Sequence, residues 1–268
     1  MLSIDGVHIE NDLGLHLLAD SDETALPQVR ENTVSIPGRH GEYTFDAYFE
    51  PRRFFERIMI PTQATLNDVQ AIVRNVSTLL LDQYGKPKTV KLVFDYEPDR
   101  YYMARFSGFI SINRIAKAGL FPIPFKAYDP WAHSTVLADD VNWGSKVINF
   151  ESSYTMEHTG SDGKKTITGP TTFNIYADGY AVKPIIEISG SATSLTVTNN
   201  GQSFTLPAFT NATWVIDCEK YTVLKNGVSA FGQVSLRDFW INEGSNAVKV
   251  TGSGINASVY IKLRDKYM

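Results

Sequence analysis

The residue types that most often carry catalysis or bind metals are sparse in this chain and are not grouped. The single cysteine, Cys218, stands between Asp217 and Glu219, and neighbouring carboxylates raise the pKa of a thiol and lower its reactivity. The histidines show no metal-ligand spacing such as His-x-x-x-His; they are His8, His16, His40, His133 and His158. We expect no catalytic residue, no metal site and no cofactor, while His8 and His16 leave a zinc site as an open alternative.

The densest acidic stretch is Asp95-Tyr96-Glu97-Pro98-Asp99-Arg100. Carboxylates in such a stretch could bind calcium or form the acid pair that cleaves a glycosidic bond. The dipeptide Pro98-Asp99 is also typical of the tip of a turn, and apolar runs at 88–94 and 101–113 flank it. We interpret the stretch as a polar hairpin turn.

Basic and aromatic residues are mixed in the run Arg52-Arg53-Phe54-Phe55-Glu56-Arg57. Such a mixture can clamp a nucleic-acid strand, but the chain has no basic excess and we expect no nucleic acid. Arginine and phenylalanine are also favoured at protein interfaces. The run therefore predicts either a protein contact surface or a strand with buried phenylalanines and solvated arginines.

Aromatic residues of the second half raise the question of a sugar site. Trp143, Trp214 and Trp240, together with nearby tyrosines, could stack on the C–H faces of a carbohydrate. Aromatic residues of a β-sandwich more often lie in its core. A sugar-binding platform therefore stays an alternative here.

One segment of the first half has the period of an amphipathic helix, with apolar residues recurring every three or four positions. Its apolar face consists of Leu66, Val69, Ile72, Val73, Val76, Leu79 and Leu80. Thr65 is placed to cap the amino end and Asp68 to favour it. Gly85 is placed to cap the carboxyl end and Pro87 to block continuation. The pattern predicts a helix over about residues 65–82.

The rest of the first half alternates apolar and polar residues, which is the two-residue period of strands with one buried face. The segment 42–49 places its apolar residues on one face, namely Tyr43, Phe45, Ala47 and Phe49. The segment 101–114 predicts one long strand. Pro122 and Pro124 in the segment 120–128 cannot donate to a ladder, so this strand is predicted at a sheet edge, where another chain could pair.

The second half shows short apolar runs between turn signals and no helical period. Such a pattern favours an antiparallel sandwich or jelly roll. The turn signals are Asn199-Asn200-Gly201, Lys225-Asn226-Gly227 and Glu243-Gly244-Ser245-Asn246. Composition changes near residue 135, and Asp129-Pro130 is typical of a linker. We predict two domains, 1–135 with the helix and 136–268.

Composition excludes several classes of protein. The chain has 268 residues, 43% of them hydrophobic, and a formal net charge of −4, so it can build a packed core and lacks the basic excess of nucleic-acid binders. No apolar run approaches the ~20 residues of a membrane span. The first twenty residues lack the positive charge of a secretory signal, so we expect synthesis in a cytoplasm and no membrane insertion.

Several stretches, taken in order, resemble the distal tail (Dit) proteins of long non-contractile-tailed bacteriophages. The segment Ile36-Pro37-Gly38-Arg39-His40-Gly41-Glu42-Tyr43 is similar to a Pro-Gly-Arg-x-Gly turn of that family. Four later stretches match it in order: Leu81 to Pro87 and Phe94 to Tyr102 after the helix, then Phe125-Lys126-Ala127-Tyr128-Asp129-Pro130-Trp131 and Phe239 to Val248. Each is turn chemistry, and only their order and spacing are specific.

The resemblance implies a structural protein without enzymatic activity, located at the virion tail tip after synthesis in the bacterial host. It implies an N-terminal β-sandwich with one helix, six copies of which close into a ring, and a peripheral C-terminal galectin-like sandwich. The implied partners are the chain itself, the tail tube, the tail-associated fibre or lysin protein and a receptor-binding protein. On this basis Arg52, Arg53, Phe54 and Phe55 are the candidate interface with another subunit or with the tube.

Two other readings stay open at this point. The C-terminal domain could be a module that recognises glycan of the host cell wall. A hydrolase of the same glycan would depend on Asp95 or Glu97, and it is the least favoured of the three.

Overall fold

The computed structural model describes residues 1–146, 148 and 152–268. The fold is mainly β, as the alternating patterns predicted, and the described residues contain one α-helix, α1 (Leu66–Leu80). Internal contacts divide the chain into two compact units, residues 1–132 with Met268 and residues 133–267. Among the described residues, no helix has both the length and the apolar character needed to cross a bilayer.

The first unit is built on one antiparallel sheet with a separate hairpin. Its strands are β1 (Leu2–Ile4), β2 (Val7–His8), β3 (His16–Leu17), β4 (Asp22–Glu23), β5 (Val29–Val34), β6 (Tyr43–Phe49), β7 (Arg52–Ile60), β8 (Thr89–Phe94), β9 (Arg100–Phe106), β10 (Asn113–Ile115) and β11 (Ala118–Ala127). The strand order is β2-β1-β8-β9-β11-β7-β3, with β4 also on β7 and β10 on β11. Strands β5 and β6 pair only with each other.

Strand β7 shows how the sequence period builds the core of this unit. Its odd positions point outward and its even positions point into the protein, so that Phe54 and Ile58 are buried while Arg53 and Phe55 are exposed. This is the two-residue period of a strand with one covered face. The neighbouring strand β11 has the same two-residue period, with a buried residue at every second position.

The amino end of helix α1 is capped as predicted. The Thr65 side chain accepts a hydrogen bond from the Asp68 amide, and Asp68 accepts one from the Thr65 amide, which together form a capping box. The helix ends at Leu80, close to the predicted end, but the predicted glycine cap is wrong, because the capping residue is Leu81 in an extended conformation. Gly85 belongs to the next turn, where Asp82 accepts bonds from two later amides. Leu66, predicted on the buried face, is exposed.

The two prolines of β11 are explained by a gap beside this strand and not by a sheet edge. Strand β11 pairs with β7 along its length, and on its other side it meets β10 at one end and β9 at the other. The predicted strand over residues 101–114 is interrupted, because β9 ends at Phe106 and β10 begins at Asn113. The Pro124 carbonyl accepts from the Ser107 amide on that interrupted side. Both prolines therefore direct their missing N–H toward the gap.

The second unit contains two antiparallel sheets. Its strands are β12 (Ala132–Ser134, at the boundary of the units), β13 (Lys165–Ile167), β14 (Thr171–Ala177), β15 (Ile185–Ala192), β16 (Ser194–Asn199), β17 (Gln202–Leu206), β18 (Phe209–Asp217), β19 (Thr222–Lys225), β20 (Val228–Ser229), β21 (Gly244–Ser253), β22 (Asn256–Lys262) and β23 (Lys266–Tyr267). The two sheets have the orders β13-β22-β15-β18-β19-β20 and β14-β21-β16-β17. Three short 3₁₀ helices lie at Ala138–Asp140, Met156–Gly160 and Phe231–Gln233.

Two of the three predicted turns of this unit are confirmed. Asn200-Gly201 and Asn226-Gly227 each join paired strands. All four residues have positive φ, as the type I′ turns of two-residue hairpins require. The third prediction is wrong, because Gly244 already begins strand β21 and pairs with Ala177.

Candidate functional site

The structure separates the four residues that the sequence singled out as an interface. Arg52 is buried and links β7 to the segment that contains Thr24 and Ala25. Its guanidinium donates to the carbonyls of Thr24 and Ala25, both at 2.8 Å, and to the Tyr102 hydroxyl at 3.1 Å. Phe54 is 3% exposed. These two side chains hold the fold together and cannot offer a surface to a partner.

Arg53 and Phe55 point to the opposite side of β7 and line a shallow groove of about 640 Å³. The groove also contains Arg57, Pro124 and Lys126. Arg57 forms an ion pair with Asp20, whereas the Arg53 guanidinium makes no hydrogen bond or ion pair within the part of the chain that the structure describes. The groove therefore carries an excess of positive charge around an apolar floor.

Beside the groove, cations are stacked on an exposed tyrosine. Arg105 and Lys126 lie over the ring of Tyr128, at 4.8 and 5.0 Å from its centroid. The hydrogen bond from Arg105 and the two positive charges lower the pKa of the Tyr128 hydroxyl. This outer face of the sheet is suited to contacts with acidic and apolar groups.

The hairpin of β5 and β6, residues 29–49, is here called the arm. Every residue of both strands is exposed, including Phe45 at 64% and Tyr48 at 52%. The predicted burial of one face of residues 42–49 is therefore wrong within a single copy of the chain. A two-stranded hairpin with this much exposed apolar surface is marginal alone, and such surfaces usually meet another protein.

The turn that carried the family resemblance lies between the two strands of the arm. The Arg39 amide donates to the Ile36 carbonyl at 3.1 Å, and Gly38 has a φ of +83°. This is a type II turn, in which the third position requires positive φ and favours glycine. The Arg39 guanidinium lies 4.0 Å from the centroid of the Tyr43 ring, which orders the end of the arm.

The acidic stretch at 95–100 is a turn, as interpreted from the sequence, and joins β8 to β9. The other predicted chemical groups are engaged elsewhere. His8 Nε2 lies 3.0 Å from Asp95 and His16 Nδ1 lies 3.0 Å from Glu10. Among the described residues, no group of three or more acidic, histidine or cysteine side chains is arranged to hold a metal ion.

Cys218 is fully buried. Burial first and the neighbouring Asp217 carboxylate second raise the pKa of its thiol to about 12. The thiol is therefore protonated at neutral pH and unreactive, as its acidic neighbours predicted.

The three tryptophans proposed for a sugar platform differ in environment. Trp214 is fully buried in the second unit, while Trp143 is 77% exposed. Trp240 is partly covered by the Lys183 ammonium group, 4.5 Å from the ring centroid. Trp214 has no face free for a ligand, so the three residues do not form one stacking surface.

A buried ion pair that the sequence did not predict lies in the second unit. His158 Nε2 is 2.8 Å from Asp265 Oδ2, and both residues are 1% exposed. The second Asp265 oxygen accepts from the Asp178 amide at 2.9 Å. The two residues lie 107 positions apart, and neither has a local sequence signal, so only the fold brings them together.

Comparison with known proteins gives one family and several related structures. Residues 10–127 match the family described as phage tail protein RIFT-related domain. Over 100% of this chain and 98% of the other, the fold is similar to the crystal structure of the Dit protein (gp 19.1) of phage SPP1, described as a paradigm of the hub adsorption apparatus in phages that infect Gram-positive bacteria; the TM-score is 0.67 and the identity 15%.

Chains from two structures of the activated phage P2 (p2) baseplate are more distant. The structure with Ca gives a TM-score of 0.42 at 9% identity, and the structure with Sr gives 0.47 at 10% identity. Both matches cover 96% of this chain and 94% of the other. No curated protein sequence matches the chain.

Proposed function

Because residues 10–127 match the phage tail protein RIFT-related domain and the fold of the whole chain is similar to that of a distal tail protein, we propose that the chain is the structural hub of a phage tail tip. Six copies form a ring that connects the tail tube to the tail-associated protein. The family match over the first unit carries this proposal.

The arm gives a physical reason for self-association. Its exposed face includes Phe45 and Phe49, and burying a phenylalanine side chain stabilises a contact by about 1.5–3 kcal/mol. The arm of one copy and the groove of the next are different surfaces, so their contact is heterologous. Heterologous contacts generate a ring when the rotation between copies closes.

The two surfaces carry charges that can pair with each other. The arm has the exposed acids Glu31, Glu42 and Asp46 beside the exposed bases Arg30 and Arg39. Hydrogen bonds from Thr33 and Ser35 lower the pKa of Glu42, which keeps its carboxylate ionised. The groove offers the unpaired Arg53 together with Lys126, so a neighbouring arm can bring opposite charge to it.

We expect Arg53→Glu combined with Phe55→Ser to prevent ring formation without unfolding the chain. Both side chains point to solvent, so the substitutions leave the core intact and change only the charge and apolar area of the groove. Sedimentation velocity would measure assembly and circular dichroism the melting temperature. Arg237→Glu, an exposed site on the second unit, is the matched control. Rings that persist in the double variant at the wild-type concentration would remove the groove from the interface.

The second unit is proposed as the peripheral part that carries host-adhesion components, with a galectin-like arrangement of its two sheets. Recognition of cell-wall glycan by this unit is the alternative function, but the burial of Trp214 does not favour it. Binding of the full chain to host cell-wall glycan would support that alternative.

Immunogold labelling of particles from the phage that encodes the chain tests the function directly. Gold at the end of the tail distal to the capsid is the expected result. Label along the whole tube, on the head or on the fibres alone would contradict the proposed place of the hub.

A further inference from the structure

Strand β7 contains a buried carboxyl group that lacks a partner. Glu56 is fully buried, and neither of its side-chain oxygens accepts a hydrogen bond from a described residue. It lies on the inward side of β7 between Phe54 and Ile58, and Ile123 is directly opposite on β11. A buried polar group without a partner is unusual in a native fold and requires an explanation.

The charged and titratable groups around Glu56 favour its protonated form. Burial chiefly, and the Glu23 carboxylate next, raise the pKa of Glu56 to about 7. Ser21 and the terminal amino group oppose the shift, but the Ser21 hydroxyl donates its hydrogen to the Leu18 carbonyl at 3.0 Å. On the facing elements, the Tyr96 hydroxyl donates to Glu23, and the Tyr102 hydroxyl accepts from Arg52.

The segment beside this carboxyl, residues 20–25, is held on β7 by its strand pairing and by side-chain contacts. The Arg52 guanidinium donates to the carbonyls of Thr24 and Ala25, and the Ser21 hydroxyl oxygen accepts from the Arg57 amide. Asp22 and Glu23 pair with Phe55 and Phe54 as strand β4. The Thr24 amide donates to the Arg53 carbonyl at 3.3 Å, a long contact. Four residues beyond Ala25, the chain enters the arm at Val29. This segment is therefore the root of the arm.

Ionisation of Glu56 opposes the docking of this root. An ionised Glu56 would be a buried charge without a partner, which is costly, and the exposed Glu23 carboxylate would add repulsion. Release of residues 20–25 from β7 would let water reach the Glu56 carboxylate and remove much of this cost. Glu56 is therefore protonated near neutral pH while the root is docked, and it releases this proton when the root is released.

We propose that Glu56 is a pH-sensitive latch that keeps the root of the arm docked while it is protonated and loosens the root when it ionises. The latch is a property of a single chain. Only its consequence for assembly, a more mobile arm above neutral pH, rests on the proposed function.

Hydrogen exchange of the full chain from pH 5 to pH 8 tests the latch. After correction for the intrinsic effect of pH on exchange, protection of the amides of residues 20–25 should fall by up to about 70-fold over this range. The two pKa values of Glu56, about 7 in the docked state and 4.5 when it is exposed, set this limit. In Glu56→Met the protection should not depend on pH. Glu56→Gln, which also cannot ionise, should behave in the same way, and Glu219→Gln, an exposed control, should behave as the wild type does.

Two results would overturn the latch. One is protection of residues 20–25 that does not change with pH in the wild type. The other is a pH-dependent loss in Glu56→Met and Glu56→Gln as large as in the wild type. Measuring particle mass in the same samples separates this result from the proposed function. Rings with pH-independent protection contradict only the latch, and pH-dependent protection in a chain that never assembles contradicts only the ring.

Discussion

Asp265→Ala is expected to lower the free energy of unfolding of the second unit by about 3–5 kcal/mol, because it leaves a buried partner without its counterpart. His158 would lose the carboxylate 2.8 Å from its Nε2, and the Asp178 amide would lose its acceptor. Urea denaturation followed by tryptophan fluorescence in a Trp131→Phe background measures the loss, because the other three tryptophans, buried Trp214 among them, lie in the second unit.

Asp238→Ala is the control for this substitution. Asp238 is 64% exposed and pairs with Lys183 at the surface, where solvent screens the charges and an ion pair contributes little to stability. Equal losses in the two variants would show that burial does not set the strength of the His158 pair.

The effect of Asp265→Ala should also depend on pH. Burial lowers the pKa of His158, but the hydrogen bond and charge of Asp265, with the Thr155 carbonyl, outweigh it and raise the pKa above the ordinary value. A histidine whose folded pKa is raised contributes stability below its unfolded pKa of about 6.5, and this is lost as pH rises through the folded value. The difference between wild type and variant should therefore be larger at pH 6 than at pH 9, and the opposite trend would contradict the assignment.

Phe45→Glu is expected to abolish assembly while leaving the stability of the chain unchanged. The Phe45 side chain is 64% exposed, so its removal costs the single chain little. In a ring, each contact would lose about 1.5–3 kcal/mol of apolar burial, which weakens association by roughly 10- to 150-fold. The added carboxylate must also be desolvated at the contact.

Mass photometry over a dilution series, with a thermal melt of each protein, measures the effect of Phe45→Glu. Tyr84→Glu is the matched control, because Tyr84 is also an exposed aromatic residue of the first unit, at 77%, but lies outside the arm. Assembly of the Phe45 variant at wild-type concentrations would exclude the arm from the subunit contact.

Local signals in the sequence were enough for the features that depend on neighbouring residues. Thr65 and Asp68 predicted the amino end of the helix because the capping box lies within four residues. Asn200-Gly201 predicted a hairpin because few other residues adopt positive φ at two successive positions. The carboxyl-terminal cap of the helix was misplaced because Gly85 is as suitable for a turn as for a helix cap.

Features that depend on distant parts of the fold could not be predicted in this way. The alternation of residues 42–49 indicates a strand with one covered face, but it does not say what covers it. Within the described part of a single chain all residues of this strand stay exposed, although the Phe49 ring meets the edge of Trp131. The two-residue period already placed Arg52, Phe54 and Glu56 on one face of a strand. The sequence could not show that the Arg52 guanidinium donates to the carbonyls of Thr24 and Ala25. Nor could it show that the Glu56 carboxyl group has no hydrogen-bond partner among the described residues.

The particle mass and symmetry of the purified chain test the central claim most directly. Negative-stain electron microscopy combined with mass measurement in solution should show six-fold rings with a central opening, at six times the 29.9 kDa of one chain. A monomer at every concentration up to the solubility limit would contradict a hub that closes by contacts between its own subunits.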